Sequence, residues 1–206
     1  MLYGKAYKDY QLNRSCFRKL IRRAYLKNVL KYVVGKAIDF GCGVGELLQV
    51  LPPGSVGFEI NEEAVKHCRS AGLDVRLYKP EIDRYNFEDI SPREFKTFVI
   101  SHVLEHLEKP AEVMKSIFSF CIRSDIGRVI IIVPGVKGFR QDKTHKTFLD
   151  IGSMEELGLT GVEGFEVSEK KYFPINAFWA GNFFTYNELF VVYDKRPELL
   201  ISVQND

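Results

Sequence analysis

The chain reads as an open α/β protein, a mostly parallel sheet with helices on both faces, on three observations. Short apolar runs suited to buried strands alternate with stretches of helical periodicity. The first run leads into a glycine-rich turn, and the second ends on a carboxylate. The last third holds two strand-like runs with no crossover helix between them, which fits an antiparallel pair at the sheet edge.

Residues 1–36 carry ten Lys and Arg against one acid, Asp9, for a net charge of +9, while the remainder carries −7. Phe17, Leu20, Ile21 and Ala24, then Leu26, Val29, Leu30 and Val33, recur at helical spacing. This basic helical segment is either packed on the sheet with a solvated face, or a surface for anionic lipid, nucleic acid or an acidic substrate. Residues 37–40 form the first strand, followed by glycines at 41, 43 and 45. Residues 46–51 resume in helical style before the turn at Pro52-Pro53-Gly54. The second strand, 56–60, contains Glu59. Residues 61–71 predict a helix with Asn61 as N-cap and Glu62 and Glu63 in the first turn, closed by Gly72. A third strand follows at 74–78. The fourth, 96–101, is entered from a polar connection. Residues 110–123 form a helix, with Pro110 in its first turn and Val113, Ile117 and Phe120 on one face. An apolar fifth strand, 128–133, is stopped by Pro134-Gly135, and the closing pair is 165–173 and 188–193.

At 206 residues the chain is expected to be one domain with a full-sized core: the basic segment 1–36, a cofactor-binding core 37–150 and substrate-side strands 151–206. No run has the length of a membrane span, and a signal-peptide core is not expected. Cysteines 16, 42, 68 and 121 form no C-x-x-C pair, so neither a disulfide framework nor a zinc knuckle is indicated, and a cytoplasmic setting is expected.

Strand, glycine turn, helix and strand ending in an acid is an arrangement that holds an adenosine-containing cofactor. A dinucleotide fingerprint would be G-x-G-x-x-G with a pyrophosphate at the helix start. Here the spacing is G-x-G-x-G, and the place of the last glycine holds Glu46, whose charge would repel a phosphate. S-adenosylmethionine has no phosphate and carries a sulfonium and an ammonium, so a loop flanked by Asp39 and Glu46 suits it better. Glu59 would accept hydrogen bonds from both ribose hydroxyls.

On Ala-Ile-Asp-Phe-Gly-Cys-Gly-Val-Gly at 37–45, Val-Gly-Phe-Glu-Ile at 56–60 and Ser-His-Val-Leu-Glu-His-Leu-Glu-Lys-Pro at 101–110, the chain resembles class I S-adenosylmethionine-dependent methyltransferases. It is most similar to the small-molecule type 11 and MetW-like groups, over residues 37–150. The resemblance implies a Rossmann-like doubly wound sheet of seven strands. Asp39, Gly41, Cys42, Gly43 and Gly45 would frame the methionine end of S-adenosylmethionine, Glu59 would hold the ribose, and Ile60 would press on the adenine. Glu81 would reach the adenine amino group, with Asp83 as competitor, and Ser101 would close the site at the end of the fourth strand. The acceptor implied is a small molecule, lipid- or sugar-type, with an RNA or protein methyltransferase, or a non-catalytic partner subunit, as alternatives. The Asn-Pro-Pro-aromatic motif of nucleobase amino methylation is absent, and nucleic acid is not the expected partner; residues 1–36 could instead meet an anionic membrane surface or an acidic partner. Tyr3, Tyr7 and Tyr10 could form a lid, and Phe178, Trp179, Phe183, Phe184 and Tyr186 could line a channel, touch a membrane or simply pack in the core.

His102, Glu105 and His106 fall on one helical face if their turn is helical, and His145 follows the fifth strand at the same sheet edge. His102 or His145 is the expected catalytic or substrate-orienting group, since imidazole titrates near neutrality. No metal is assigned. A resemblance to small-RNA 3′-terminal 2′-O-methyltransferases nevertheless makes Glu105, His106 and His145 possible ligands, with His102 where those enzymes have a further Glu.

Overall fold

In the computed structural model, residues 16–197 are described, with side chains from residue 21 onward. They build one seven-stranded sheet between two apolar layers. The strands are β1 (Ala37–Phe40), β2 (Val56–Glu59), β3 (Val75–Leu77), β4 (Thr97–Ser101), β5 (Arg128–Pro134), β6 (Phe165–Phe173) and β7 (Glu188–Lys195), in the order β3-β2-β1-β4-β5-β7-β6. The first five are parallel, whereas β7 runs antiparallel to both β5 and β6. The sheet is thus the doubly wound, seven-stranded one expected, with its antiparallel C-terminal pair.

Alternation of side chains along each strand makes the two layers. Ile38, Phe40, Phe98, Ile100, Ile131 and Val191 face one side, where α4 (Pro110–Arg123) covers them with Met114, Ile117, Phe118 and Cys121. Ala37, Val99, Ile130, Ile132 and Phe190 face the other, where α1 (Cys16–Leu30) lays Tyr25 and Val29. The N-terminal segment is therefore a helix packed on the sheet from Cys16 onward; the tyrosines proposed as a lid, at 3, 7 and 10, lie outside the described residues. The helix α2 (Glu62–Ser70) starts where expected, with Asn61 Oδ1 accepting from the N–H groups of Glu63 (3.0 Å) and Ala64 (3.2 Å).

One expectation needs correction. Residues 46–51 form turns rather than a regular helix, although Gln49 N–H still donates to Gly45 O (3.0 Å) and Leu51 N–H to Leu47 O (3.1 Å). The Pro52-Pro53 pair leaves no room for propagation, and a helix this short gains little from its few bonds. The connection from β3 to β4 is polar in composition yet supplies core. After a single turn, α3 (Pro80–Asp83), Phe87 enters an aromatic cluster with ring centroids 4.7 Å from Phe120, 5.1 Å from Phe58 and 5.4 Å from Phe98. Asp83 Oδ1 accepts from Tyr78 OH (2.9 Å) and Phe87 N–H (3.0 Å), so this acid staples its own loop.

Phe87→Ala is expected to lower the unfolding free energy by about 3–5 kcal/mol, since it empties the centre of that cluster. Urea denaturation checks it; a loss below about 1 kcal/mol would mean that the loop collapses into the space.

Candidate active site

The carboxyl ends of β1, β4 and β5 open onto a cleft of about 340 Å³, lined on one side by Asp39, Gly41, Cys42 and Gly43 and on the other by His145, Thr185, Tyr186 and Glu188. The loop after β1 turns sharply, with Gly41, Gly43 and Gly45 all at positive φ. At Gly41 and Gly45 space is also lacking. A Cβ there would stand 2.3 Å from Val103 Cγ2 and 2.6 Å from Leu73 Cδ1 respectively.

Glu59 holds this loop. Its Oε2 accepts the Gly43 N–H (2.7 Å) and its Oε1 the Asn61 N–H (2.8 Å), tying the glycine turn to the start of α2. Burial raises its pKa against the opposing backbone amides of Asn61, Gly43 and Ile60. Each carboxylate oxygen keeps a further lone pair for a ribose hydroxyl. Asp39 is buried with Oδ2 unpartnered. Burial pushes its carboxyl up to about 7, with Arg22 opposing and Glu59 adding to the shift. A buried acceptor of this kind at the mouth of a glycine loop suits a cationic ligand group. Arg22, from α1, stands beside it: its Nε donates to Glu46 Oε2 (2.9 Å) and its guanidinium lies 4.3 Å over the Tyr25 ring. Ile60 is half exposed next to Glu59, as an adenine-facing residue would be, and Glu81 is exposed on α3. Ser101 Oγ meets Tyr25 OH. Cys42 shares a thiol hydrogen bond with Cys68, which together with burial raises its pKa and keeps it a neutral wall of the cleft.

The histidines divide. His102 has positive φ, so its turn is not helical; only Leu104–His106 form a 3-10 turn. Even so His102 Nδ1 lies 3.2 Å from Glu105 Oε1, and Nε2 lies 3.2 Å from Glu188 Oε1. Burial disfavours its charge, but the two carboxylates outweigh that and raise its pKa to about 10. The two carboxylates therefore favour its imidazolium form. His145 has the opposite arrangement. Its Nδ1–H donates to the Phe139 carbonyl (2.9 Å), leaving Nε2 as the free nitrogen, 3.9 Å from both Glu105 Oε1 and Asp142 Oδ2. His106 Nδ1 meets Thr144 Oγ1 (3.1 Å), and burial lowers its pKa. One ligand atom each from Glu105, His106 and His145 lies within 4.8 Å of the others. Glu105 is fully buried, and its Oε2 has no partner.

A methyltransferase-domain family model matches residues 9–156. The chain belongs to this family of methyltransferases. No curated protein sequence matches it. Among solved structures, a S-adenosylmethionine-dependent methyltransferase from Archaeoglobus fulgidus is 21% identical with a TM-score of 0.61, covering 86% of this chain and 94% of that one. The methyltransferase domain of bacterial CtHen1-CN is 15% identical with a TM-score of 0.62, covering 84% and 99%. Magnesium protoporphyrin IX methyltransferase from Synechocystis, solved with bound S-adenosylmethionine, is 15% identical with a TM-score of 0.55, covering 87% and 80%. These likenesses establish a shared fold. With the family match, they make S-adenosylmethionine the cofactor of this class I methyltransferase. The residues present fit it: the orphan Asp39 Oδ2 for the ammonium and the spare lone pairs of Glu59 for the ribose. Arg22, Tyr25 and Glu188 also belong to the methyltransferase's cleft but carry no motif. The helical i, i+3 spacing of Arg22 and Tyr25 was the only signal available, and it reads equally as a solvated face.

Glu59→Ala is expected to weaken S-adenosylmethionine binding tenfold or more and to lower the unfolding free energy by about 1–3 kcal/mol, because it orphans two backbone amides as well as two hydroxyls. Calorimetry and urea titration separate the two effects, and unchanged affinity would remove Glu59 from the ribose. For Asp39, whose pKa is raised by burial, a bound ammonium favours the ionised form, so affinity should fall as pH drops below about 7. Asp39→Asn should bind more weakly and lose that slope; calorimetry between pH 5.5 and 7.5 (about two units) reads both.

Proposed function

We propose that the methyltransferase transfers the methyl group to a small-molecule acceptor of lipid or sugar type, with His145 as the general base. The observation that carries this reading is the cleft itself. It is about 340 Å³ in size, joins the donor loop to His145, Thr185, Tyr186 and Glu188, and is of the scale of a small-molecule site.

The cofactor, when bound, supplies a methyl group already activated on a sulfonium, so alignment of acceptor and methyl in line is most of the task. Asp39 and Glu59 hold the donor at one end. At the other, Nε2 of His145 is the nitrogen with a lone pair free for an acceptor hydroxyl proton, while its Nδ1–H is fixed on Phe139 O. The carboxylates of Glu105 and Asp142, each 3.9 Å away, would stabilise the imidazolium that forms. His102, paired at both nitrogens, serves as a fixed cation that orients Glu105 and Glu188 rather than as a base.

A second reading has one observation in its favour. Glu105, His106 and His145 bring two imidazoles and a buried carboxylate within 4.8 Å of one another, a set suited to a transition metal that would polarise the acceptor oxygen.

His145→Ala is expected to leave S-adenosylmethionine affinity nearly unchanged and to cut turnover by roughly 10²- to 10⁴-fold for a hydroxyl acceptor. The assay is transfer of labelled methyl to small-molecule extracts, followed by identification of the labelled product. Label in RNA or protein instead would overturn the small-molecule reading. Inhibition by chelator, with His106→Ala as damaging as His145→Ala and partly rescued by divalent ion, would favour the metal; chelator-insensitive turnover would remove it.

A further inference from the structure

Four large apolar side chains stand in solvent on the connection between β6 and β7: Ile175 (46% exposed), Phe178 (46%), Trp179 (62%) and Phe183 (74%). Their backbone is not loose. Asn187, fully buried, accepts the Ile175 N–H (3.0 Å) and donates to Ala177 O (3.0 Å). Lys137 Nζ donates to the Phe183 carbonyl (2.8 Å). Glycines let α5 (Val136–Gln141) come close: a Cβ at Gly135 would stand 2.3 Å from Asn187 O, and one at Gly138 2.7 Å from Thr185 O. The aromatic display is therefore held outward by a fixed frame, at a cost in exposed apolar area that a purely structural turn would avoid.

The same frame is basic. Residues 136–147 hold four Lys and Arg and one acid, Asp142, which accepts from Thr144 at 2.7 and 2.8 Å; of the cations, Lys146 is paired with Glu108 (3.0 Å). Arg140 and Lys143 are exposed, and among the described residues neither makes an ion pair. The rim also borders the cleft, whose lining includes Gly138, Thr185 and Tyr186. Exposed Trp and Phe beside unpaired Lys and Arg match the two layers of a lipid interface, aromatic rings at the headgroup–acyl boundary and cations at anionic headgroups. A second copy of the chain is a poorer fit, because self-pairing would bring two cationic rims together.

We infer that the Ile175–Phe183 connection and the α5 rim form an interfacial docking surface for a bilayer containing anionic phospholipid, presenting the cleft to an acceptor held in that bilayer. The second half of this inference rests on the lipid-type acceptor proposed above. Docking itself is read without turnover, so either can fail alone.

Trp179 is the one tryptophan of the chain and reports on the surface directly. Vesicles of mixed phosphatidylglycerol and phosphatidylcholine should shift its emission to the blue, and pure phosphatidylcholine should shift it far less. Phe183→Asp, which changes an exposed side chain and so spares the core, should reduce partitioning roughly tenfold or more in vesicle flotation. Arg140→Glu with Lys143→Glu should remove the preference for the anionic lipid, as should high salt. The docking surface is overturned by unshifted Trp179 emission, whether or not the protein floats with the vesicles through another segment, by undiminished flotation of Phe183→Asp, or by a blue shift that grows with protein concentration in the absence of lipid, which would mark self-association.

Discussion

The far side of the cleft depends on one buried residue, Glu105. Glu105 has no exposed surface, and a charge so placed is tolerated only with partners. His102 supplies one at 3.2 Å, from a backbone conformation that a non-glycine residue rarely adopts. The Glu105 carbonyl meanwhile accepts the N–H groups of Lys146 (2.7 Å) and Thr147 (3.1 Å), which fixes the segment carrying His145. One residue therefore ties the end of β4 to the stretch after β5. Replacing its side chain would remove the charge that His102 answers, while the backbone carbonyl would still hold the segment at Lys146 and Thr147.

The donor half is organised in the same way around Glu59 and Asp39, but with different electrostatic consequences. Glu59 is satisfied by two backbone amides before any ligand arrives, so it is a structural brace with capacity to spare. Asp39 is left with an orphan oxygen and a raised pKa. Arg22 sits close enough to temper that charge while its own Nε is committed to Glu46. This end of the cleft is thus pre-formed and slightly under-neutralised, an arrangement that suits a cationic ligand group.

How far the sequence revealed this site varies along the chain. The glycine spacing, Glu59 and the Asn61 cap were legible because each is a local demand: positive φ, a strand-end acceptor, an orphan helix N–H. The segment at 46–51 was misread because apolar spacing suggests a helix wherever it occurs, while chain length and the following prolines decide whether one forms. Phe87 escaped notice for the converse reason, one aromatic within a polar connection having no period to reveal it. The aromatics around Trp179 could as well have been core; only the fixed turn shows them facing outward.

By itself, then, the sequence determined the succession of strands, the glycine turn and the family, because these follow from patterns a few residues long. The tertiary structure alone decided which histidine keeps a free nitrogen. His102 and His145 are equivalent as residues, and their pairing distances set them apart: His102 is clasped by Glu105 and Glu188, while His145 gives its Nδ1 proton to a backbone carbonyl. Glu188 enters from the last strand, 86 positions beyond His102, and meets it because β7 folds back antiparallel against β5. No local pattern encodes a meeting of that range.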